Sequence, residues 1–320
     1  MNRINTAAQG KNAPSRWDSF IKASGKDLRK NKYIYIMAIP VILYFVVFHY
    51  IPLYGNIMAF QDYSPGKGFL GSPFVGFQHF VDFFTGQYFW RLFKNTVLIS
   101  AYQILWGFPI PIILALLMNE ISNITFKRTV QTISYLPHFV SLVVVCGLVV
   151  SFTTSDGIIS SLLQYFGMEA RNLMQDPGNF RTIFVTSGIW QEAGWGSIIY
   201  LAAISSIDPQ LYEAAKMDGI GRIRQIISIT IPCILPTIII MLIMRMGAVM
   251  SVGYEKIILL YSPVNYETSD VIASYVYRTG LQSFQWSFAS AVGLFNSVIN
   301  CCMVILVNRI SRRFTETSLW

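Results

Sequence analysis

The chain has 320 residues, of which 53% are hydrophobic and only 12% charged. A soluble domain carries about a quarter charged residues, so a single water-soluble domain is excluded. The net charge of +8 would suit a nucleic-acid partner, but the basic residues are placed by topology rather than gathered into one patch.

The apolar residues fall into six blocks, near 33–52, 92–118, 129–152, 181–205, 233–259 and 286–308. Each approaches the roughly 20 residues that a helix needs to cross about 30 Å of hydrocarbon. The expected fold class is therefore all-α, a polytopic membrane protein with six transmembrane helices. A β-barrel would show short alternating segments instead. Arg3, Lys11, Arg16, Lys22, Lys26, Arg29, Lys30 and Lys32 precede the first block. Lys127, Arg128, Lys216, Arg222, Arg224, Arg309, Arg312 and Arg313 fall on the same side if the chain crosses six times. The positive-inside rule makes that side cytoplasmic and puts both termini there.

In chain order, residues 1–32 read as a cytoplasmic basic tail. Within it Trp17, Phe20 and Ile21 share a face, so 17–31 is either an amphipathic surface helix or an unstructured leader. Residues 33–89 read as the first transmembrane helix and a long extracytoplasmic loop. Four glycines (Gly66, Gly68, Gly71 and Gly76) and Pro65 and Pro73 make that loop a folded cap rather than a long helix. Residues 90–309 form the core, with a polar loop at 206–232, and 310–320 a short cytoplasmic tail. Cys146, Cys233, Cys301 and Cys302 lie in or at the edge of apolar blocks and read as small apolar fillers, with no metal or disulfide pattern. His49, His79 and His138 have no mutual spacing for a metal, so no metal site and no catalytic group are expected.

The loop at 206–232 is the most distinctive segment. Asp208-Pro209 is a strong helix start, because Asp caps free N–H groups and Pro fits the first helical position. Gly219 and Gly221 end it about ten residues later. Leu211, Ala214 and Ala215 share a face with little bulk, and Glu213 and Met217 lie a turn apart beside it. Beyond the glycines, Ile223, Ile226, Ile227 and Ile231 recur at helical spacing, which predicts a second short helix leading into the bilayer at Pro232.

The run Glu213-Ala214-Ala215-Lys216-Met217-Asp218-Gly219, followed by Ile229-Thr230-Ile231-Pro232, resembles the EAA loop of ABC-importer permeases. Lys127–Pro137, Ile189-Trp190-Gln191-Glu192 and Asn308–Arg313 are similar to stretches of carbohydrate-importer permeases, in particular those for oligo- and polysaccharides such as alginate or pectin-derived saccharides. Ile220 and Ile231 replace the commoner Ala and Leu with other apolar residues. The resemblance implies the type I ABC-importer permease fold and a bacterial inner-membrane location. It also implies a partner set: a second permease subunit, two ATP-binding subunits and an extracytoplasmic saccharide-binding protein. Glu213, Ala214, Ala215, Asp218, Gly219 and Pro232 would then couple the spans to the ATPase. ATP and Mg would be held by those partners, since this chain has no Gly-rich phosphate loop.

Glu192 and Arg245 are the charges deepest in apolar blocks. Isolated charges there cost at least about 2.5–3.5 kcal/mol each, so a buried ion pair between them is the expected resolution. Trp190, Gln191, Glu192 and Trp195 supply stacking and hydrogen-bonding chemistry suited to a sugar, and Asn296 and Asn300 lie a turn apart on the last span. These six are the candidate substrate-pathway residues. An ion-coupled secondary transporter of small solutes is the alternative. It would show paired broken spans or internal duplication, which the sequence does not display.

Overall fold

A computed structural model describes residues 27, 30–167 and 169–315. Most of the possible surface helix at 17–31, with Trp17, Phe20 and Ile21, lies outside them. The chain divides into two units at Ile57–Met58. In the first, a helical run from Lys32 leads through Pro40 toward the unit boundary, within α1 (Lys32–Phe60). None of the residues Lys32–Phe45 is buried, which suits a helix whose solvent is hydrocarbon.

The second unit begins with the cap. Phe60 meets Phe74, Phe77 and Phe80, and Gln61 and Phe74 form an antiparallel bridge. Aromatic packing thus folds the glycine- and proline-broken loop. There follow α2 (Phe89–Glu120), the amphipathic α3 (Ile124–Tyr135), α4 (Leu142–Thr153), α5 (Ile158–Tyr165) and α6 (Pro177–Ser205). Then come α7 (Pro209–Met217), α8 (Arg222–Met246), α9 (Tyr254–Leu260), α10 (Ile272–Tyr277) and α11 (Trp286–Thr315). Among the described residues, five runs are long and apolar enough to cross a membrane: α1, α2, the α4–α5 stretch, α8 and α11. The sixth crossing is α6, whose 29 residues reach about 44 Å at 1.5 Å per residue, and whose polar residues lower its hydropathy.

Two block boundaries differ from the sequence expectation. The third span starts at Leu142, not 129, because Lys127, Arg128 and Gln131 keep α3 out of hydrocarbon and Ser141 caps a new helix through Val144 N. The fifth block ends at Met246, not 259, where the chain turns through Val252 and Gly253 in left-handed conformations. The second loop helix is also not separate. It runs unbroken from Arg222 into α8.

Proline leaves a signature in these helices. Of the four π-helical turns among the described residues, three stand just upstream of proline: Val46–Tyr50 before Pro52, Gln103–Gly107 before Pro109, and Ile226–Thr230 before Pro232. Proline lacks an N–H and crowds the carbonyl four residues back. A π turn widens the helix there and lets the span continue.

The core is built around α6. Phe180 and Phe184 pack with Ile257, Leu260 and Val271. Nearer the loop, Ala115, Met118, Tyr200, Leu201 and Ile234 join α2, α6 and α8. Beside the first cluster lies a polar knot. Asp270, fully buried, accepts from Arg91 at 3.0 Å and Arg278 at 2.8 Å. Asn95 donates to the Glu267 and Asp270 carbonyls and accepts from Arg181 at 2.7 Å. Arg278 also lies against the rings of Tyr261, Tyr266 and Tyr275. Burial, with the neighbouring Tyr261, pushes the Tyr266 phenol up. The knot fastens α2, α6 and the 260–280 segment to one another.

Candidate functional site

A cavity of about 600 Å³ opens where α2, α6 and α8 meet the segment 248–256. From α6 come Gln191, Glu192 and Trp195, from α2 Gln103, from α8 Arg245, and from the segment Ser251, Glu255 and Lys256. The closeness of α6 to the end of α3 has one local cause. A Cβ on Gly194 would collide with the backbone of Ser134. Only glycine lets the two chains approach, and that approach delivers His138 to α6.

His138 then makes two contacts. Its ring stacks on Trp195 with centroids 4.4 Å apart and planes 3° from parallel. Its Nδ1 lies 2.9 Å from Glu192 Oε2. A carboxylate can only accept, so Nδ1 carries the proton. The Glu192 side chain is 56% exposed and faces the cavity rather than a dry interior.

The expected Glu192–Arg245 ion pair is not formed. Arg245 donates to Gln103 Oε1 at 3.4 Å, and Glu192 is held by His138. The cost argument assumed an isolated charge in hydrocarbon, whereas both groups are exposed and line the cavity. Three pathway candidates also fall elsewhere. Trp190 is exposed and does not line the cavity. Asn300 accepts from Met250 N at 2.9 Å, tying α11 to the turn after α8, and its neighbour Asn296 likewise stays off the cavity wall. Gln191, Glu192 and Trp195 remain. Gln103, His138, Ser251 and Lys256 were not among the candidates. A polar side chain within a span, as at Gln103, was the available signal for the first. His138 fell near the start of the block read as 129–152 and Lys256 near the end of the one read as 233–259, and hydropathy gave no sign that either belongs at this cavity.

The second site is the loop. Asp208 Oδ1 caps α7 by accepting from Gln210 N at 2.9 Å. Beyond Met217 the chain reverses at Gly219, with φ +73°, and Ile220 N donates to Ala215 O at 2.9 Å. Such a reversal in the left-handed region suits glycine. Gln225 Nε2 fastens the return by donating to Ile220 O at 2.7 Å, and Tyr212 shares a hydrogen bond with Thr230 across it. Glu213, Ala214, Asp218 and Gly219 are exposed, with Met217 89% exposed and Ile223 75%. Ala215 instead is buried, at 4%. Its small side chain belongs to the loop's own packing, so bulk placed there acts first on the loop itself. Pro232 lies inside α8, nearly three turns (at about 3.6 residues each) after its start at Arg222, and is exposed.

Comparison with known proteins places these sites in a family. Residues 107–316 match the model for the binding-protein-dependent transport system inner membrane component. The chain is 44% identical over 294 residues to the polygalacturonan/rhamnogalacturonan transport system permease protein YteP of Bacillus subtilis, covering 92% of each. It is 39% identical over 314 residues to protein LplB of the same organism, covering 96% of this chain and 99% of that one. Among solved structures, it superposes with TM-score 0.85 and 44% identity on a chain of a bacterial ABC transporter involved in the import of the acidic polysaccharide alginate, covering 92% of this chain and 99% of that one. A second structure of an alginate transporter, in complex with an alginate pentasaccharide-bound periplasmic protein, matches with the same TM-score, 0.85, at 45% identity. The family match spans the loop and the cavity lining apart from Gln103, and the chain belongs to the family of inner-membrane components of binding-protein-dependent transport systems.

Proposed function

We propose that this chain is one of two membrane subunits of an ATP-driven importer of oligo- or polysaccharides, with the cavity forming its share of the translocation pathway. The partners are a second permease, two ATP-binding subunits and an extracytoplasmic saccharide-binding protein. The observation that carries this reading is α7, a short charged helix fixed between two spans, which with the start of α8 leaves Glu213, Met217 and Ile223 exposed. An exposed apolar tip rimmed by charge is the form of a docking element. Relatives that share nearly the whole chain are transport permeases for polygalacturonan and alginate.

The mechanism follows from the connections. ATP binding closes the partner ATPase dimer and moves α7. Because α8 begins at Arg222, three residues after the Gly219 turn, displacement of α7 is passed directly to a span that carries Arg245 at the cavity. The spans then rock between inward-open and outward-open states, and both termini stay cytoplasmic. The test is reconstitution of the four-subunit complex in liposomes. ATPase activity stimulated by the saccharide-loaded binding protein is expected, and Glu213→Ala should lower that stimulation at least tenfold. Saccharide uptake that persists without any ATPase subunit would instead support an ion-coupled secondary transporter.

A further inference from the structure

Lys256 is the buried member of the charged groups that line the cavity. It is 7% exposed, and among the described residues no carboxylate lies within ion-pair distance of it. Its Nζ donates to Phe184 O at 3.1 Å and sits 5.1 Å from the Phe184 ring centre. An ammonium has three donors, and a buried charge is usually paired. The other charges facing the cavity are Glu192, taken by His138, Glu255, exposed in the first turn of α9, and Arg245, touching only the neutral Gln103.

Two further features serve this placement. Val252 is a buried, β-branched residue at φ +46°, a strained conformation that other structure must hold in place. It turns the chain after α8 so that α9 starts with Lys256 toward α6. There Gly188 makes room. A Cβ at that position would lie 3.3 Å from Lys256 Nζ. A backbone outlier, a bare helix position and an unpaired ammonium converge on one cavity wall.

We infer that Lys256, with Arg245 on the same cavity lining, forms a subsite for a carboxylate of the passing saccharide. This inference rests on the importer reading. Glu192 and Glu255 keep the cavity from being a strong anion trap, which suits a site that must release what it binds. A neutral sugar would leave the ammonium unanswered.

The test uses the assembled transporter in liposomes, with its ATPases, second permease and binding protein. Uptake of tri-galacturonate and tri-mannuronate is compared with uptake of their fully methyl-esterified forms, in wild type, Lys256→Gln and Lys256→Arg. Dividing each variant by wild type cancels the selectivity of the binding protein. Lys256→Gln should slow uptake of at least one free acid by about tenfold or more, the loss expected of one charge-assisted hydrogen bond, leave the esters within twofold, and be largely rescued in Lys256→Arg. Equal losses for acid and ester would make Lys256 a structural peg and overturn the subsite, as would no loss for either acid. Wild type that carries the esters and not the acids would overturn the inference while leaving the importer intact. Wild type that carries none of them, with no saccharide-stimulated ATPase activity, would remove the importer reading as well.

Discussion

The Asp270 knot and the central cavity use the same residue types to opposite ends. In the knot, a fully buried carboxylate is held by two arginines, and Asn95 and Arg181 close the network around it. In the cavity, Glu192, Arg245 and Lys256 each have one partner, and none is another's. Charges that hold helices together converge here on one fully buried carboxylate, even though Arg91 Nε, Arg181 Nε and Arg278 Nη1 find no partner among the described residues. The charges lining the cavity are loosely paired, as the proposed pathway requires, because a tight pair would have to break at every turnover.

The largest effect on stability should come from the knot. Asp270→Asn strands two guanidinium groups, one of them largely buried, and should cost about 3 kcal/mol, toward the low end for breaking a buried pair. The measurement is the unfolding midpoint of the purified chain in detergent. A change under about 1 kcal/mol would mean that water already serves the arginines and would erase the contrast with the cavity.

Gly194 tests how the cavity wall is assembled. Gly194→Ala forces α6 away from the Ser134 backbone, an overpacking that costs about 1–3 kcal/mol, and should break the His138–Trp195 stack. Loss of the tryptophan's contact with His138 can be followed by fluorescence, with the His138→Gln variant as reference. Ala215→Leu should cost a similar 1–3 kcal/mol through the packing of the loop, and should uncouple ATPase stimulation even where the complex assembles. Normal coupling in that variant would contradict the reading of Ala215 as an internal residue.

The smallest stability effect is expected at Glu192. Its side chain is more than half exposed, so Glu192→Gln should change stability by under about 1 kcal/mol, as for a solvated ion pair, while saccharide uptake falls severalfold. A loss of several kcal/mol would move Glu192 from the pathway to the framework.

Much of this was legible in the sequence. Hydropathy located the spans, and the Asp208-Pro209 start and Gly219 stop of α7 were read from local chemistry, which is short-range and therefore written in order along the chain. Two things were not legible. The third block merged an amphipathic surface helix with a span, because the apolar positions of α3 run on into α4 along the sequence, while the polar face of α3 and the Ser141 cap divide them in the fold. The pairing of Glu192 was misassigned because depth in an apolar block does not say whether a residue faces hydrocarbon or a cavity. His138, delivered by the Gly194 contact, is set by a tertiary approach that no local pattern announces. Lys256 was hidden similarly, since the left-handed turn at Val252 that aims it has no sequence signature in a β-branched residue.

The central claim is that the cavity is a wet pathway and the knot a dry fastening. Its most direct test is thiol accessibility in the assembled transporter, in a background with the four native cysteines replaced. A cysteine at the cavity-lining Ser251 should react with a charged, water-soluble thiol reagent, and the transported saccharide should slow that reaction severalfold. A cysteine at Thr96, fully buried in the packing between α2 and α10, should stay unreacted. Equal reactivity at the two positions, or labelling at Ser251 that the saccharide does not slow, would contradict the account.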